Sequence, residues 1–270
     1  MKGSALLSTL EEMKRDGRST AELIAASLAQ IDDEDGKSAT CNPLAVLEAR
    51  GTREVVDAAI TLSGARDPKS RRLGVTILGQ LGSPARTFPE ECCDALLEII
   101  HREQDRDVLI ATVFAFGHLG NRRCEGALIG LRNHSDDDVR HGVAFSLCGA
   151  TSDAAVGALL ELMDDPYERA RDWAATSIGQ TVSIDGPEIR DALLRRVNDA
   201  DVFVRAEALH GLARRRDDRV VPYLVAEISA AGEHEGLFVD AAKSYLGFSV
   251  DPDMDSEALA RLLQLPNRQS

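Results

Sequence analysis

The strongest constraint on this chain is that it repeats itself. Residues 136–150 read DDDVRHGVAFSLCGA and residues 167–181 read YERARDWAATSIGQT, the same pattern 31 positions later. Counted from the residue before the shared arginine, position 0 falls at Ser70, Val108, Val139, Ala170, Val204 and Phe238, in steps of 38, 31, 31, 34 and 34. Position 8 is large and apolar each time (Leu78, Phe116, Leu147, Ile178, Leu212, Leu246). Position 9 is small (Gly79, Gly117, Cys148, Gly179, Ala213, Gly247). A second register runs 12 or 13 residues ahead, at Ala95, Ala127, Ala158 and Ala192, each followed by two aliphatic residues. Weaker copies stand at Asp57-Ala58-Ala59 and Tyr223-Leu224-Val225. The two interlocked registers define a unit of helix A, an acidic turn and helix B.

Positions 0, 4 and 8 share one side of helix B and predict a buried stripe. A single hairpin cannot cover its own stripe, so neighbouring hairpins must stack. Asp67-Pro68, Asp136 to Asp138, Asp164-Asp165-Pro166 and Asp199 to Asp201 precede B helices. Aspartate there accepts from first-turn N–H groups, and Pro68 and Pro166 fit a first-turn position that needs no donor. The small residue at position 9 lets the next helix come close. The step of 38 places a longer loop near Gly82–Phe88, where Pro84 and Pro89 interrupt helix. The flanks predict helices over Ser4–Lys14, Thr20–Ile31 and Glu257–Leu265, the second opened by a Ser19…Glu22 capping box and the last ended by Pro266. Between the first two and the repeats lies a polar linker, DDEDGKSAT, at 32–40.

These residues resemble HEAT repeats, and more closely the short HEAT-like repeats first described in phycobilisome lyases. The resemblance covers residues 50–250. It implies an all-α fold: a right-handed α-solenoid of about six HEAT-like helical hairpins, with N- and C-terminal helical caps. The A helices would lie on the convex side and the B helices on the concave side. The expected organisation is one continuous structural domain, with a cap and linker at 1–40, the repeats at 41–250 and a capping helix and tail at 251–270. Leu109 and Val239 depart from the recurrent arginine, and Ser70 and Phe238 from the aliphatic residue before it.

At position 1, Arg71, Arg140, Arg171 and Arg205 form a ladder placed to reach acids or turn carbonyls of the adjacent repeat. Charge-assisted bonds of that kind make it a structural inter-repeat ladder. Positions 2, 3, 6 and 10 lie on the face of helix B opposite the stripe. There the chain sets Ile110, Phe114, Phe145 and Trp173, with His118, His141, Asp172, Thr176, Gln180 and His210 beside them. Trp173 is the only tryptophan in a chain poor in aromatic residues. Aromatic side chains beside hydrogen-bonding groups are what interface anchors look like. The competing reading is that tight curvature packs these rings against neighbouring B helices.

No residue pattern announces catalysis. Asp251, Asp253 and Asp255 have the opening spacing of a calcium loop, but Ser256 stands in place of glycine and Leu262 in place of the closing glutamate. Gly232-Glu-His-Glu-Gly236 is not a helical H-E-x-x-H, and adjacent Cys92 and Cys93 project apart on a helix and read as buried small hydrophobes. No phosphate-cradling loop, dinucleotide fingerprint or nucleophile elbow occurs, so no catalytic residue, metal or cofactor is expected. A net charge of −14 and a pI near 4.9 exclude a phosphate backbone as the partner. The opening MKGSALLSTLEEMKRDG carries acids and no long apolar core, and no run approaches the ~20 apolar residues of a membrane span. The five cysteines, including Cys41, Cys124 and Cys148, are an odd number without framework spacing, which fits a reduced cytoplasmic protein. The reading is a non-catalytic scaffold that binds a protein or peptide in the concave groove, with acidic turns suited to a basic partner. Two alternatives stand beside it. The resemblance implies an enzyme-associated subunit or chaperone of the bilin-lyase type, and the net charge admits an acidic antagonist such as an immunity protein.

Overall fold

The computed structural model describes residues 11, 13, 15–31, 42–230, 232–247 and 254–265. Among them lie fifteen α-helices and no strand. Most of the helix expected at 4–14, the linker at 32–40, Asp251, Asp253 and Pro266 fall outside the described residues. The chain divides into two compact units, Met1–Leu131 and Arg132–Ser270.

The first unit holds α1 (Thr20–Ile31), α2 (Pro43–Arg50), α3 (Arg53–Ser63), α4 (Pro68–Gln80), α5 (Pro89–Ile100), α6 (Arg106–Leu119) and the short α7 (Glu125–Gly130). The second holds α8 (Asp137–Ser146), α9 (Asp153–Leu162), α10 (Glu168–Thr176), α11 (Pro187–Arg196), α12 (Val202–Arg214), α13 (Val221–Ser229), α14 (Glu235–Leu246) and α15 (Ser256–Leu263). The B helices are α4 and α6 in the first unit, and α8, α10, α12 and α14 in the second. Their positions 0, 4 and 8 are buried in every copy except for Ser70 and Leu246, in the first and last. Apolar burial at these positions is the main stabilising term of the stack.

Local sequence explains where four of the six B helices start, α14 having no side-chain cap at His234. The residue at position 0 donates its N–H to the aspartate three residues earlier: Ser70 to Asp67 (2.8 Å), Val108 to Asp105 (3.2 Å), Val139 to Asp136 (3.3 Å) and Val204 to Asp201 (3.1 Å). Removing such a cap costs about 1 kcal/mol. At α10 the pattern breaks. Its N-cap is Tyr167, with no side-chain cap, and Pro166 precedes the helix instead of opening it. Asp165 is engaged elsewhere, accepting the Tyr167 N–H and two bonds from Arg140. Pro68 does open α4, Pro89 opens α5, and the Ser19–Glu22 box is reciprocal around α1.

The four arginines bond in one repeated manner. Nη1 of each reaches carbonyls five and six residues back: Arg71 to Arg66 and Ala65, Arg140 to Ser135 and His134, Arg171 to Pro166 and Asp165, and Arg205 to Ala200 and Asp199. The rest of the guanidinium meets a carboxylate of the following repeat. Arg71 meets Glu103 at 2.8 and 2.9 Å, Arg140 meets Asp165 at 2.7 and 3.0 Å, and Arg171 meets Asp199 at 3.0 and 2.9 Å. Arg205 meets Glu227 at 2.9 Å. Glu103, Asp165 and Asp199 also accept a backbone N–H of their own turn, from Asp105, Tyr167 and Asp201. Each carboxylate thereby fastens an arginine of one repeat to the turn that starts the next B helix. Arg71 lies in the first unit and the other three in the second.

Small residues set the helix spacing. A Cβ on Gly79 would fall 2.7 Å from Ala115 Cα, and one on Gly211 would fall 2.7 Å from Gly179 Cα. These pair position 9 of one repeat with position 7 of the next, backbone against backbone.

Candidate functional site

In the second unit, α8, α10 and α12 bring most of the expected residues to one face. His141 and Phe145 come from α8, Asp172, Trp173 and Thr176 from α10, Gln180 from the turn after α10, and His210 from α12; all seven are half-buried. The Phe145 and Trp173 rings meet edge to face, with centroids 4.8 Å apart and planes at 88°. Such a pair is worth about 0.5–1.5 kcal/mol beyond its burial. It fixes the indole while leaving part of it open. His141 stands edge-on to Tyr167, centroids 6.2 Å apart, and Tyr167 Oη donates to Asp138.

Gln180 is positioned by irregular backbone. After α10 the helix widens into a π-turn, Ser177–Thr181, in which Val182 N–H donates to Ser177 O at 2.9 Å. The Arg215 guanidinium fills the end of that turn and donates to the carbonyls of Ile178, Gly179 and Val182. Gln180 Nε2 then donates to Glu207 Oε2 of α12 at 2.5 Å, and Arg214 donates to the Gln180 carbonyl. Glu207 therefore belongs to the same face. It stands at position 3 of its repeat, one of the four positions expected on this face, as Trp173 does one repeat earlier.

The charges on this face are unbalanced. Elsewhere the deeply buried acids Glu103, Asp165, Asp199 and Asp217 are bonded to an arginine. Asp172 has no hydrogen bond or ion pair among the described residues. Burial pushes its carboxyl up to about 6, and the negative charges of Glu207 and Asp201 push the same way. Burial also lowers the pKa of His141 and of His210, disfavouring their charged forms. Trp173 Nε1 and the His210 ring likewise have no hydrogen-bond partner among the described residues. Half-buried polar groups without a hydrogen bond inside the fold remain able to form one.

The first unit is separate. Ile110 and Phe114 are half-buried on α6, and His118 is exposed with its carbonyl accepting from Arg86 Nε. A cleft of about 220 Å³ lies between α1, the start of α2 and α4, lined by Gln30, Leu44, Arg72 and Thr76 among others. Burial pushes the carboxyl of Glu48, on α2, up to about 7 against the opposing charge of Arg86. Cys92 and Cys93 are both buried, and Cys93 Sγ sits 3.0 Å from Cys124 Sγ. Among the described residues, no group of three or more His, Cys, Asp or Glu side chains converges as metal ligands, and no helix is long and apolar enough to cross a membrane.

Known proteins match this architecture. A family model of HEAT repeats matches residues 93–179 and, overlapping them, 156–234, together more than half of the chain. Protein YibA of Escherichia coli K12 is 27% identical over 194 residues, which is 68% of this chain and 67% of YibA. An X-ray structure of E. coli YibA superposes with a TM-score of 0.68 at 20% identity, covering 94% of each chain. An archaeal HEAT-like repeats protein from Thermococcus onnurineus NA1 superposes with a TM-score of 0.53 at 14% identity, covering 92% of this chain and 99% of that one. The complex of CpcE and CpcF of phycocyanin lyase from Nostoc sp. PCC7120 gives 0.48 at 17% identity, covering 92% and 96%. These structural likenesses concern the fold alone. Period, buried stripe and family match agree, and the chain belongs to the HEAT-repeat family.

Proposed function

We propose that this protein is a non-catalytic scaffold that holds a protein or peptide against the face formed by α8, α10 and α12. The observation that carries this reading is the combination of a half-open Phe145–Trp173 pair with the unspent groups of Asp172, Trp173 and His210. A large aromatic anchor supplies binding energy, and nearby polar groups select what sits on it. The partner in this reading is basic, because acidic turns rim the B helices and the chain carries a net charge of −14. Ile110, Phe114 and His118 serve in the first unit as a second contact area of the same kind. The arginines of the ladder are scaffold: their N–H groups are spent on carbonyls and carboxylates within their own unit. The place of action is the cytoplasm, in keeping with an odd number of cysteines without framework spacing.

The test is a parallel capture from source-cell lysate with the tagged wild type and with Phe145→Ala/Trp173→Ala, compared by quantitative mass spectrometry. Helicity stays intact and specific partners drop out with the double variant. Equal capture by the two proteins refutes the reading.

A further inference from the structure

Two sulfur nucleophiles of the first unit have no part in the proposed face. Counted back 15 places from position 0, the chain reads Val55, Cys93, Cys124, Ala155 and Ile189 in successive repeats, all buried at the start of helix A. Two consecutive copies thus carry a thiol. We propose that Cys93 and Cys124 form a redox-modification site, a buried dithiol that hydrogen peroxide converts into a disulfide joining two repeats. The proposal goes beyond the scaffold reading and does not depend on it.

The sulfurs are already in contact. Cys93 lies on α5, and Cys124 ends the short 3-10 turn Arg122–Cys124 that leads into α7; their Sγ atoms are 3.0 Å apart. A disulfide has an S–S length of about 2.05 Å, so a shift of about 1 Å closes the bond. Three other side-chain bonds tie the same two segments together. Asn121 Nδ2 donates to Glu90 at 3.2 Å, Arg123 Nη1 to Glu90 at 2.9 Å, and Arg123 Nη2 to Asp94 at 2.6 Å. The two segments are therefore held together without the sulfurs, and closing the bond asks for little rearrangement. The neighbouring Cys92 is turned towards the Thr87 carbonyl, 3.9 Å from its Sγ. Packing alone is met by alanine at this position, as Ala155 shows. Among the described residues, no third His, Cys, Asp or Glu converges on the pair as a metal ligand.

The chemistry assigns each sulfur a step. Burial raises both thiols; on Cys93 a hydrogen bond from Cys124 works the other way, and the Arg123 charge favours both thiolates. Cys93 is therefore the attacking sulfur. Its thiolate bonds to one oxygen of hydrogen peroxide and the O–O bond breaks. The departing hydroxide takes up the proton that Cys93 gave away, leaving a sulfenic acid and one water. The Cys124 sulfur then attacks the Cys93 sulfur. The S–S bond forms, the S–O bond breaks, and hydroxide leaves with the Cys124 proton as a second water. Two thiols lose two electrons, and one peroxide is reduced to two waters. Burial slows the first step but hastens the second, because the sulfenic acid arises in contact with its partner. The bridge closes a loop that contains α6, the helix carrying Ile110 and Phe114, and stabilises it by restricting the unfolded chain.

The test treats the reduced full chain with hydrogen peroxide, blocks remaining thiols with N-ethylmaleimide in denaturant, and maps unreduced tryptic peptides by tandem mass spectrometry. The peptides holding Cys93 and Cys124 are expected joined, with Cys92 carrying the maleimide. Closure raises Tm by about 5–10 °C, and dithiothreitol reverses the rise. Cys93→Ala and Cys124→Ala each lose both the link and the rise, whereas Cys148→Ser, an exposed cysteine outside the pair, keeps both. The mapped link in the wild type decides the proposal without any variant. Cys93 and Cys124 still free once peroxide has oxidised Cys148, Cys93 recovered as a sulfinic acid, or Cys93 linked to a different cysteine would overturn it. So would a peroxide-dependent rise in Tm that survives Cys124→Ala. Loss of partner capture by Phe145→Ala/Trp173→Ala is a separate measurement, so the scaffold reading stands or falls apart from this one.

Discussion

Replacing Asp172 by asparagine should make the protein more stable while weakening what it binds. The unfolded chain ionises this carboxyl near 3.8, the folded chain at about 6. Between those values only the unfolded state releases the proton, so the wild type loses stability as the pH rises through this window and stays at the lower level above it. Roughly two pH units correspond to about 3 kcal/mol as an upper bound. The side chain is half-exposed and screened by solvent, which brings the cost down to about 1 kcal/mol. Asparagine keeps the shape and removes the charge, so Asp172→Asn recovers about 1 kcal/mol above pH 6, equivalent to about 2–4 °C in Tm. The gain shrinks as the pH falls below 6 and disappears below about 3.8. Thermal and urea unfolding of both proteins, followed by circular dichroism at pH 7.5, 5 and 4, measures this directly. A variant less stable than the wild type at pH 7.5, or a gain that persists unchanged at pH 4, would show that Asp172 finds a partner within the fold and that its charge is not held in reserve.

Other consequences are simpler. Arg140→Ala strands the Asp165 carboxylate, whose side chain is only 5% exposed, and should cost about 3–5 kcal/mol in urea titrations. Arg205→Ala, at a pair with both side chains near a quarter exposed, should cost about 1 kcal/mol. Gly211→Ala drives a methyl group into the Gly179 backbone and should lose about 1–3 kcal/mol. Gly157→Ala, inside α9 with open space around it, should gain about 0.5–1 kcal/mol. Among the described cysteines, Cys148 is exposed while Cys92, Cys93 and Cys124 are buried, and burial raises the Cys92 thiol to about 11. Iodoacetamide at pH 7.5 should therefore modify Cys148 far faster than the other three, as read by peptide mass spectrometry.

Features that repeat were legible in the sequence. Val108, Thr112 and Phe116, or Val139, Val143 and Leu147, are buried because one side of a helix must be covered, and that demand writes itself every 31 to 38 residues. The aspartate caps followed for the same reason. Features that join two repeats were harder to read. Asp165 looked like a helix cap, yet its oxygens go to Arg140 and to the Tyr167 N–H, leaving α10 without a side-chain cap and Pro166 outside it. Glu207 stands at position 3, on the expected face, but its bond from the Gln180 side chain joins two repeats and has no signature in the repeat pattern. The ten face residues were chosen by position within a helix. Burial and ring geometry then describe seven of them together in the second unit, while Ile110, Phe114 and His118 lie in the first. No change in the repeat pattern announces the division after Leu131, since the step that spans it, Val108 to Val139, is 31 residues and so is the next.

The central claim is that a partner sits on the face around Trp173. A photo-reactive benzoylphenylalanine in place of Thr176, one turn from Trp173 and half-buried on the same helix, tests it in living cells. The account expects a discrete ultraviolet-dependent adduct with a single partner protein, absent when the same residue replaces exposed Glu161 on α9 and lost when Phe145→Ala is added. Adducts no different from those at Glu161, or none at all, would contradict it.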